Sequence, residues 1–248
     1  ITSDSLLAWF LPFLSNTQKQ IFENEGQVDT ALTLSCGQRL RVNLFRQQKG
    51  ISAVLRIIET QIPSLDKLRV PKSVSTLLDN YSHGLILVTG ATGSGKSSTL
   101  AAMINHLNQY QRQHILTLED PIEFIHSNKQ SIVQQREIGR DVQHTANAIK
   151  SALRQDPDVI MLGELRDAQS IKLALTAAET GHLVLATLHT QGAAQTLERV
   201  TNVFTGNERQ WISSQLACSL RAIISQGLVS SIEGGRVALF EIMQVTQG

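Results

Sequence analysis

The chain has 248 residues with 22 Lys and Arg against 21 Asp and Glu, and 42% of its residues are hydrophobic. This composition supports a buried core and excludes a disordered or fibrous chain, while the formal net charge of +1 provides no overall basic field for gripping nucleic acid. The two cysteines, Cys36 and Cys218, are too few and too far apart for a disulfide framework or a cysteine-rich zinc site. We expect both to be buried.

The first 60 residues predict a small α+β domain. Apolar residues at helical spacing between residues 3 and 26 predict a helix that restarts near Asn16 and stops at Gly26. The pattern then becomes that of strands over residues 28–34, 39–45 and 51–58. Residues 61–72 contain Pro63 and Pro71 and predict an extended linker. Because the chain starts at Ile1, we expect this domain to be truncated at its start.

Residues 73–248 predict an α/β domain. Short apolar strands alternate with helices, which is typical of a parallel sheet covered on both faces. The predicted strands are residues 85–89, 115–118, 159–162 and 183–188, and the predicted helices are residues 96–111, 144–154, 168–179 and 192–202. The longest apolar run, residues 6–14, is about half of the roughly 18 residues that span a bilayer, so we expect no transmembrane helix.

A phosphate-binding loop follows the first strand of this domain and opens a helix. Its glycines let consecutive backbone N–H groups face an anion, and the lysine and the helix N-terminus add positive charge. We expect the serine after the lysine to hold Mg²⁺. The predicted nucleotide-binding residues are Gly90, Ala91, Thr92, Gly93, Ser94, Gly95, Lys96, Ser97 and Ser98.

Acidic residues follow two other predicted strands, at the sheet edge where ligands of parallel sheets collect. Glu164 ends one strand and is placed to polarise the attacking water or a water on the metal. Several carboxylates beside a phosphate require a divalent ion between them, which indicates Mg²⁺. The predicted Mg²⁺ residues, some acting through water, are Ser97, Glu119, Asp120, Glu123 and Glu164.

Histidines and arginines complete the predicted site. His189 ends a strand and is the better candidate to contact a γ-phosphate, while His182 starts the same strand and is a second candidate. Arg41 and Arg56 lie within strands of the small domain, from which they could stabilise transition-state charge as arginine fingers do.

These blocks together resemble the type II/type IV secretion ATPase superfamily. Its Walker A, aspartate box, Walker B and histidine box motifs correspond to residues 90–97, 118–124, 156–167 and 180–190, and the arginine-bearing strands correspond to residues 41–43 and 55–56. Residues 134–137, 173–179 and 235–243 resemble the PilT-type pilus retraction branch. That branch also has C-terminal helices, which we expect to be missing from this chain.

The resemblance implies a PAS-like N-terminal domain, a RecA-like ATPase domain and a homohexameric motor that binds ATP and Mg²⁺. It implies a motor at the cytoplasmic side of the inner membrane, bound to a pilus platform protein, that couples hydrolysis to rigid-body domain motion in twitching motility. By the family's pattern Glu164 is the catalytic acid and Glu123 supports metal or water, while Arg41, Arg56 and His189 contact the γ-phosphate region.

Three alternatives stay open. A pilus assembly or type II secretion ATPase would fit the same motifs, although many such relatives carry a four-cysteine zinc insert and only Cys218 follows His189 here. A DNA translocase of the same fold would require a basic stripe or stacking aromatics, and aromatic residues are only 4% of the chain. A nucleotide-binding regulator would hydrolyse little ATP, yet the complete set of acids favours turnover. We therefore expect neither zinc nor nucleic acid as a partner.

Overall fold

The computed structural model describes residues 3–58, 61–232 and 234–246. The small domain packs two helices against a three-stranded antiparallel sheet in the order β1-β2-β3. Its elements are α1 (Ser3–Phe10), a 3₁₀ turn (Leu11–Phe13), α2 (Asn16–Glu25), β1 (Gln27–Thr33), β2 (Arg39–Gln47) and β3 (Gly50–Ile58). A capping box between Ser15 and Gln18 starts α2, and Gly26 ends it at a φ of 74°. The predicted α+β make-up is confirmed, whereas a PAS-like relationship stays a prediction.

The large domain is built on a seven-stranded sheet in the order β10-β9-β4-β8-β7-β5-β6. The five pairings from β9 to β6 are parallel, and β10 pairs antiparallel with β9. Its strands are β4 (Gly84–Thr89), β5 (His114–Glu119), β6 (Ile132–Glu137), β7 (Val159–Leu162), β8 (Leu183–Leu188), β9 (Leu220–Ser230) and β10 (Arg236–Gln244). Its helices are α3 (Lys72–Asn80), α4 (Lys96–Tyr110), α5 (Thr145–Ala152), α6 (Ala168–Glu179), α7 (Ala193–Asn202) and α8 (Gly206–Ser219).

Helices cover both faces of this sheet, as the apolar strands predict. Strands β4, β7 and β8 are buried at every residue because each has neighbours above, below and on both sides. Apolar side chains of α5, α6, α7 and α8 fill one core, and those of α3 and α4 fill the other. The predicted α/β class is confirmed, and the carboxyl ends of β4, β5, β7 and β8 form one edge at which the motif residues meet.

The segment before α3 differs from the predicted extended linker. Residues 64–70 fold into hydrogen-bonded turns, in which the amide of Val70 donates to the carbonyl of Leu65 at 3.0 Å. Both side chains are buried in the core beneath α3 and α4, so the burial of apolar surface holds the segment in place. The predicted domain boundary at residue 60 lies outside the described residues, as do the chain ends at residues 1–2 and 247–248.

The structure also bears on the predictions for the two cysteines and for membrane-spanning helices. Cys36 and Cys218 are both exposed, so the prediction that they are buried is wrong: Cys36 lies in the turn between β1 and β2, and Cys218 lies on the outward side of α8. None of the helices within the described residues has the length and apolarity needed to cross a membrane.

Candidate active site

The phosphate-binding loop joins β4 to α4 and depends on glycines for its shape. Gly90, Gly93 and Gly95 have φ angles of 142°, 79° and 92°, in the region that only glycine adopts without strain. Gly90 also passes so close to β9 that a Cβ atom would lie 2.1 Å from the carbonyl oxygen of Gln226. Gly95 precedes the helix, whose first turn has no side-chain cap. Its free amides therefore form an anion site.

Lys96 occupies the centre of the loop. The residue is 7% exposed, and its Nζ donates to the carbonyl oxygens of Gly90 and Ala91 at 2.8 and 2.9 Å. It also lies 3.3 Å from Nδ1 of His189. Burial lowers the pKa of Lys96, whereas the carboxylates of Glu164 and Glu123 raise it.

The ends of β7 and β8 bring Glu164 and His189 together. Nε2 of His189 lies 3.3 Å from one carboxylate oxygen of Glu164, and the other oxygen accepts from Nε of Arg166 at 2.8 Å. This hydrogen bond raises the pKa of Arg166. The hydroxyl of Thr187 donates to the carbonyl of Gly163, which ties the two strand ends to each other. Lys96, His189 and Glu164 therefore form a continuous chain of contacts.

The predicted acids at the end of β5 and after it have different side-chain partners. We call residues 120–131, between β5 and β6, the acid loop. Glu119, just before it, is buried, and its carboxylate accepts from Thr117 at 2.6 Å and from Gln135 at 3.0 Å. Burial raises the pKa of Glu119. Asp120 lies 3.4 Å from Arg166, and Glu123 lies 3.9 Å from Arg41.

Both predicted arginines of the small domain face the same cleft. Arg41 and Arg56 are paired across β2 and β3, so their side chains lie on one side of the small sheet. The cleft between the two domains has a volume of about 600 Å³ and is lined by both arginines, the phosphate-binding loop, the acids and His189. Side chains from separate domains thus surround one cleft whose volume is in the range of small-molecule binding sites.

The residues around the loop fit a nucleotide better than they fit a bare metal ion. Among the described residues, no group of three His, Cys, Asp or Glu side chains is arranged to hold a metal. Glu119 departs furthest from the predicted Mg²⁺ set, because its carboxylate is bonded within the sheet. Mg²⁺ usually takes one or two carboxylates together with substrate phosphates and waters. Ser97, exposed in the first turn of α4, and Glu164 lie at the cleft and fit that mode.

His182 lies away from this cleft. It precedes β8 at the strand's amino end, whereas His189 follows the carboxyl end. Its Nδ1 lies 3.0 Å from the carbonyl oxygen of Ala177 and 3.3 Å from the hydroxyl of Thr180. The structure thus does not bring His182 to the predicted site. Its contacts serve the turn between α6 and β8.

Several site residues have no signal in the sequence. Gln226 on β9 is 5% exposed, and its side-chain amide donates to the carbonyl of Ser94 at 2.7 Å, which supports the phosphate-binding loop from behind. Arg166 donates a hydrogen bond to Glu164, and its only sequence signal is its position two residues after this acid. Arg39 and Gln135 hold the acid loop. Long-range packing determines the contacts of all but Arg166, so motif spacing cannot reveal them.

A family model described as type II/IV secretion system protein matches residues 16–243. The protein YggR of Escherichia coli K12 is 52% identical over 93% of this chain and 71% of its own length. A twitching motility protein of Neisseria gonorrhoeae is 49% identical over 93% of this chain and 62% of its own length. The type IV pilus retraction ATPase PilT of Pseudomonas aeruginosa PAO1 is 47% identical over 93% of this chain and 67% of its own length.

A solved structure has the same fold. The crystal structure of the pilus retraction motor PilT with bound ADP matches with a TM-score of 0.91 and 43% identity, covering 97% of this chain and 71% of that chain. The chain thus spans 62% to 71% of the lengths of these similar proteins. The predicted PilT-type resemblance, the P-loop ATPase fold and the ATPase class are confirmed. The chain belongs to the type II/IV secretion system protein family.

Proposed function

We propose that this chain hydrolyses ATP in the cleft between its two domains and that the protein powers retraction of a type IV pilus. The observation that carries the proposal is the contact chain from Lys96 through His189 to Glu164, next to an uncapped helix N-terminus. A phosphate group bound to the helix amides would lie beside a cation, a hydrogen-bonding imidazole and a carboxylate. This is the set of groups that NTP hydrolysis requires.

Phosphate binding falls to residues of the loop and of α4. Lys96 exchanges its bonds to the carbonyls of Gly90 and Ala91 for bonds to phosphate oxygens. The amides of the first turn of α4 bind the same phosphates. Ser97 and, through water, Glu164 would hold Mg²⁺. When bound, the ion neutralises charge that develops on the β- and γ-phosphate oxygens.

Hydrolysis uses groups on both domains. Glu164 orients the attacking water and accepts its proton. His189 donates a hydrogen bond to the γ-phosphate and is placed to report its loss, since it already contacts both Lys96 and Glu164. Arg41 and Arg56 lie across the cleft on the rigid small sheet, where they stabilise charge on the transferred phosphate. Glu123 shares this part of the cleft and orients water or the ion.

Retraction is supported by the names of the similar proteins, which include a twitching motility protein and a retraction ATPase. We further propose that the protein works as a homohexameric ring at the cytoplasmic side of the inner membrane, bound to a pilus platform protein. Self-association is supported by the edge strand β3, on which Val54, Leu55 and Ile57 are 61%, 50% and 70% exposed. A native mass measurement with nucleotide tests the ring.

The decisive test is phosphate release from ATP by the full-length protein with Mg²⁺, with and without duplex DNA. We expect turnover that DNA does not change. Glu164→Gln should keep ATP binding but lower turnover by about a hundredfold or more, because the general base is lost. Glu198→Gln, on the exposed side of α7, is the matched control and should behave as wild type.

Each alternative result has a distinct meaning. Turnover that is unchanged in Glu164→Gln would contradict the catalytic assignment. Strong stimulation by DNA would favour a translocase, and binding without turnover would favour a regulator. In a strain lacking the chromosomal copy, the wild-type gene should restore twitching and the Glu164→Gln gene should not.

A further inference from the structure

The acid loop is held from the small domain by an arginine other than the two predicted ones. Arg39 is the first residue of β2, and its NH1 donates to the main-chain carbonyl of Glu123 at 3.3 Å. Arg41, two residues further along β2, pairs with the carboxylate of the same Glu123 at 3.9 Å. Two arginines that are two residues apart on one strand therefore contact one acid, Arg39 at its backbone carbonyl and Arg41 at its carboxylate.

The large domain holds the neighbouring residues of the acid loop. The side chain of Gln135 on β6 accepts from the amide of His126 and donates to the carbonyl of Phe124, both at 2.8 Å. Glu137, two residues further along β6, accepts from the amide of Ile122 at 3.1 Å. Residues 122, 124 and 126 are thus fixed to β6, and the backbone amide of Glu123 interacts with the carboxylate of Glu119 on β5. The carbonyl and the carboxylate of Glu123 are instead bonded to the small domain.

The charged residue Arg39 is buried rather than on the surface. The residue is only 9% exposed, and a buried guanidinium is stable only where opposite charge and hydrogen bonds compensate for lost water. Burial lowers the pKa of Arg39, while Glu137 and Glu119 oppose this effect. Glu137 is itself only 4% exposed. The same carboxylate therefore holds the acid loop and offsets the charge of the arginine beside it.

We infer that Arg39 is a positioning residue that ties the main chain of Glu123 to the small domain, so that the docking of the small domain sets the position of this acid relative to the phosphates. The inference rests on the proposed function, in which Glu123 orients water or metal. Since Arg39 bonds to the backbone, it acts on the position of Glu123 and not on its charge. Arg41 differs because it contacts the carboxylate and lies open to the cleft.

The kinetic test compares Arg39→Gln with Arg46→Gln in the full-length protein. Arg46 lies on the same strand but is exposed and stacks over Phe22, away from the cleft. We expect Arg39→Gln to lower kcat about tenfold or more with KM changed less than about twofold, because misplacing a reacting group by about 1 Å can cost a hundredfold. Arg39→Lys, which keeps the charge, should recover part of the loss. Arg46→Gln should match wild type.

A double-substitution cycle separates positioning from general damage. If Arg39 acts through Glu123, then Arg39→Gln should have less than about a twofold effect in a Glu123→Ala background, where there is no acid left to position. An equal loss in both backgrounds would overturn the inference, because it would mean that Arg39 affects the fold or another group. Wild-type behaviour of Arg39→Gln would overturn it as well.

A second readout needs no nucleotide and no turnover. Hydrogen exchange of peptides covering residues 121–127 should become faster in Arg39→Gln than in Arg46→Gln, while exchange in β4 and β8 stays unchanged. Equal exchange in the two variants would overturn the inference. If the wild-type protein hydrolyses no ATP, the proposed function fails, and this exchange experiment still decides whether Arg39 fixes the acid loop.

Discussion

Gly90→Ala tests whether the phosphate-binding loop depends on close contact with β9. The added Cβ would lie 2.1 Å from the carbonyl oxygen of Gln226 and 2.7 Å from the hydroxyl of Ser94. The oxygen is a backbone atom of a strand that is paired on both sides and cannot rotate away, so the loop has to move by about 1 Å to reach ordinary contact. Overpacking of this kind costs about 1–3 kcal/mol, and the φ of 142° at Gly90 adds about 1–3 kcal/mol for an alanine.

Gly181→Ala is the matched control for this substitution. Gly181 also has a positive φ, 108°, but a Cβ there meets nothing within 4 Å. The control therefore carries the backbone strain without the clash. Since about 1 kcal/mol shifts Tm by roughly 2–4 °C in a domain of this size, we expect Gly90→Ala to lower Tm by about 10 °C and Gly181→Ala by about half as much or less. Nucleotide affinity should fall in Gly90→Ala alone. Equal Tm values and equal affinities would refute the reasoning, because Gly90→Ala adds a clash with Gln226 and Ser94 that Gly181→Ala lacks.

Two other features give testable consequences. Gln226→Ala removes the hydrogen bond to Ser94, and titration with a fluorescent nucleotide should show binding weakened about fivefold to tenfold, as expected for about 1 kcal/mol. The control is Gln244→Ala, because Gln244 is an exposed residue of β10, and this variant should bind nucleotide as wild type does. Equal affinities in the two variants would contradict a supporting role for Gln226. Burial lowers the pKa of His126 from 6.5 to about 4, so the unfolded chain takes up this proton first as pH falls and stability is lost between pH 6.5 and 4. His126→Gln should remove about 2 kcal/mol of the difference between unfolding free energies at pH 7 and pH 5, and an unchanged difference in denaturant unfolding would show that His126 is not the group responsible.

The phosphate-binding loop and the strands around it could be predicted because their signals are local. Residues 90–97 form one continuous stretch of sequence that links an apolar strand to the first turn of a helix. The placement of Glu164 and His189 at one edge follows from a rule about parallel sheets, which requires only that each strand be recognised. Both side chains do meet at that edge, 3.3 Å apart. The same rule explains why His182 does not reach the site, because a residue at the amino end of β8 lies at the opposite edge of the sheet.

What could not be predicted depends on which segments pack together. Strand β6 is an edge strand with Ile132 57% exposed, so its sequence lacks the apolar run that identified β4 and β8. Gln226 supports a loop 132 residues away in sequence because β9 pairs with β4. Arg39 was visible only as one arginine in a strand, and its burial follows from the docking of the small domain on the acid loop. Such contacts leave no spacing pattern along the chain.

The contacts of Lys96 indicate how nucleotide binding would reach the small domain. Its ammonium group is held by the loop's own carbonyls and lies beside His189, and desolvation works against its charge. A phosphate offers this buried cation a stronger partner than neutral carbonyls do, so binding should draw Lys96 away from them. His189 then loses a neighbour and is left to bond the phosphate or Glu164. On the other side of the cleft, the same phosphate competes with Glu123 for Arg41, whereas Arg39 keeps its bond to the backbone of Glu123. The acid loop thus remains attached to the small domain while the arginine charge turns to the nucleotide, which links phosphate contact to the angle between the two domains.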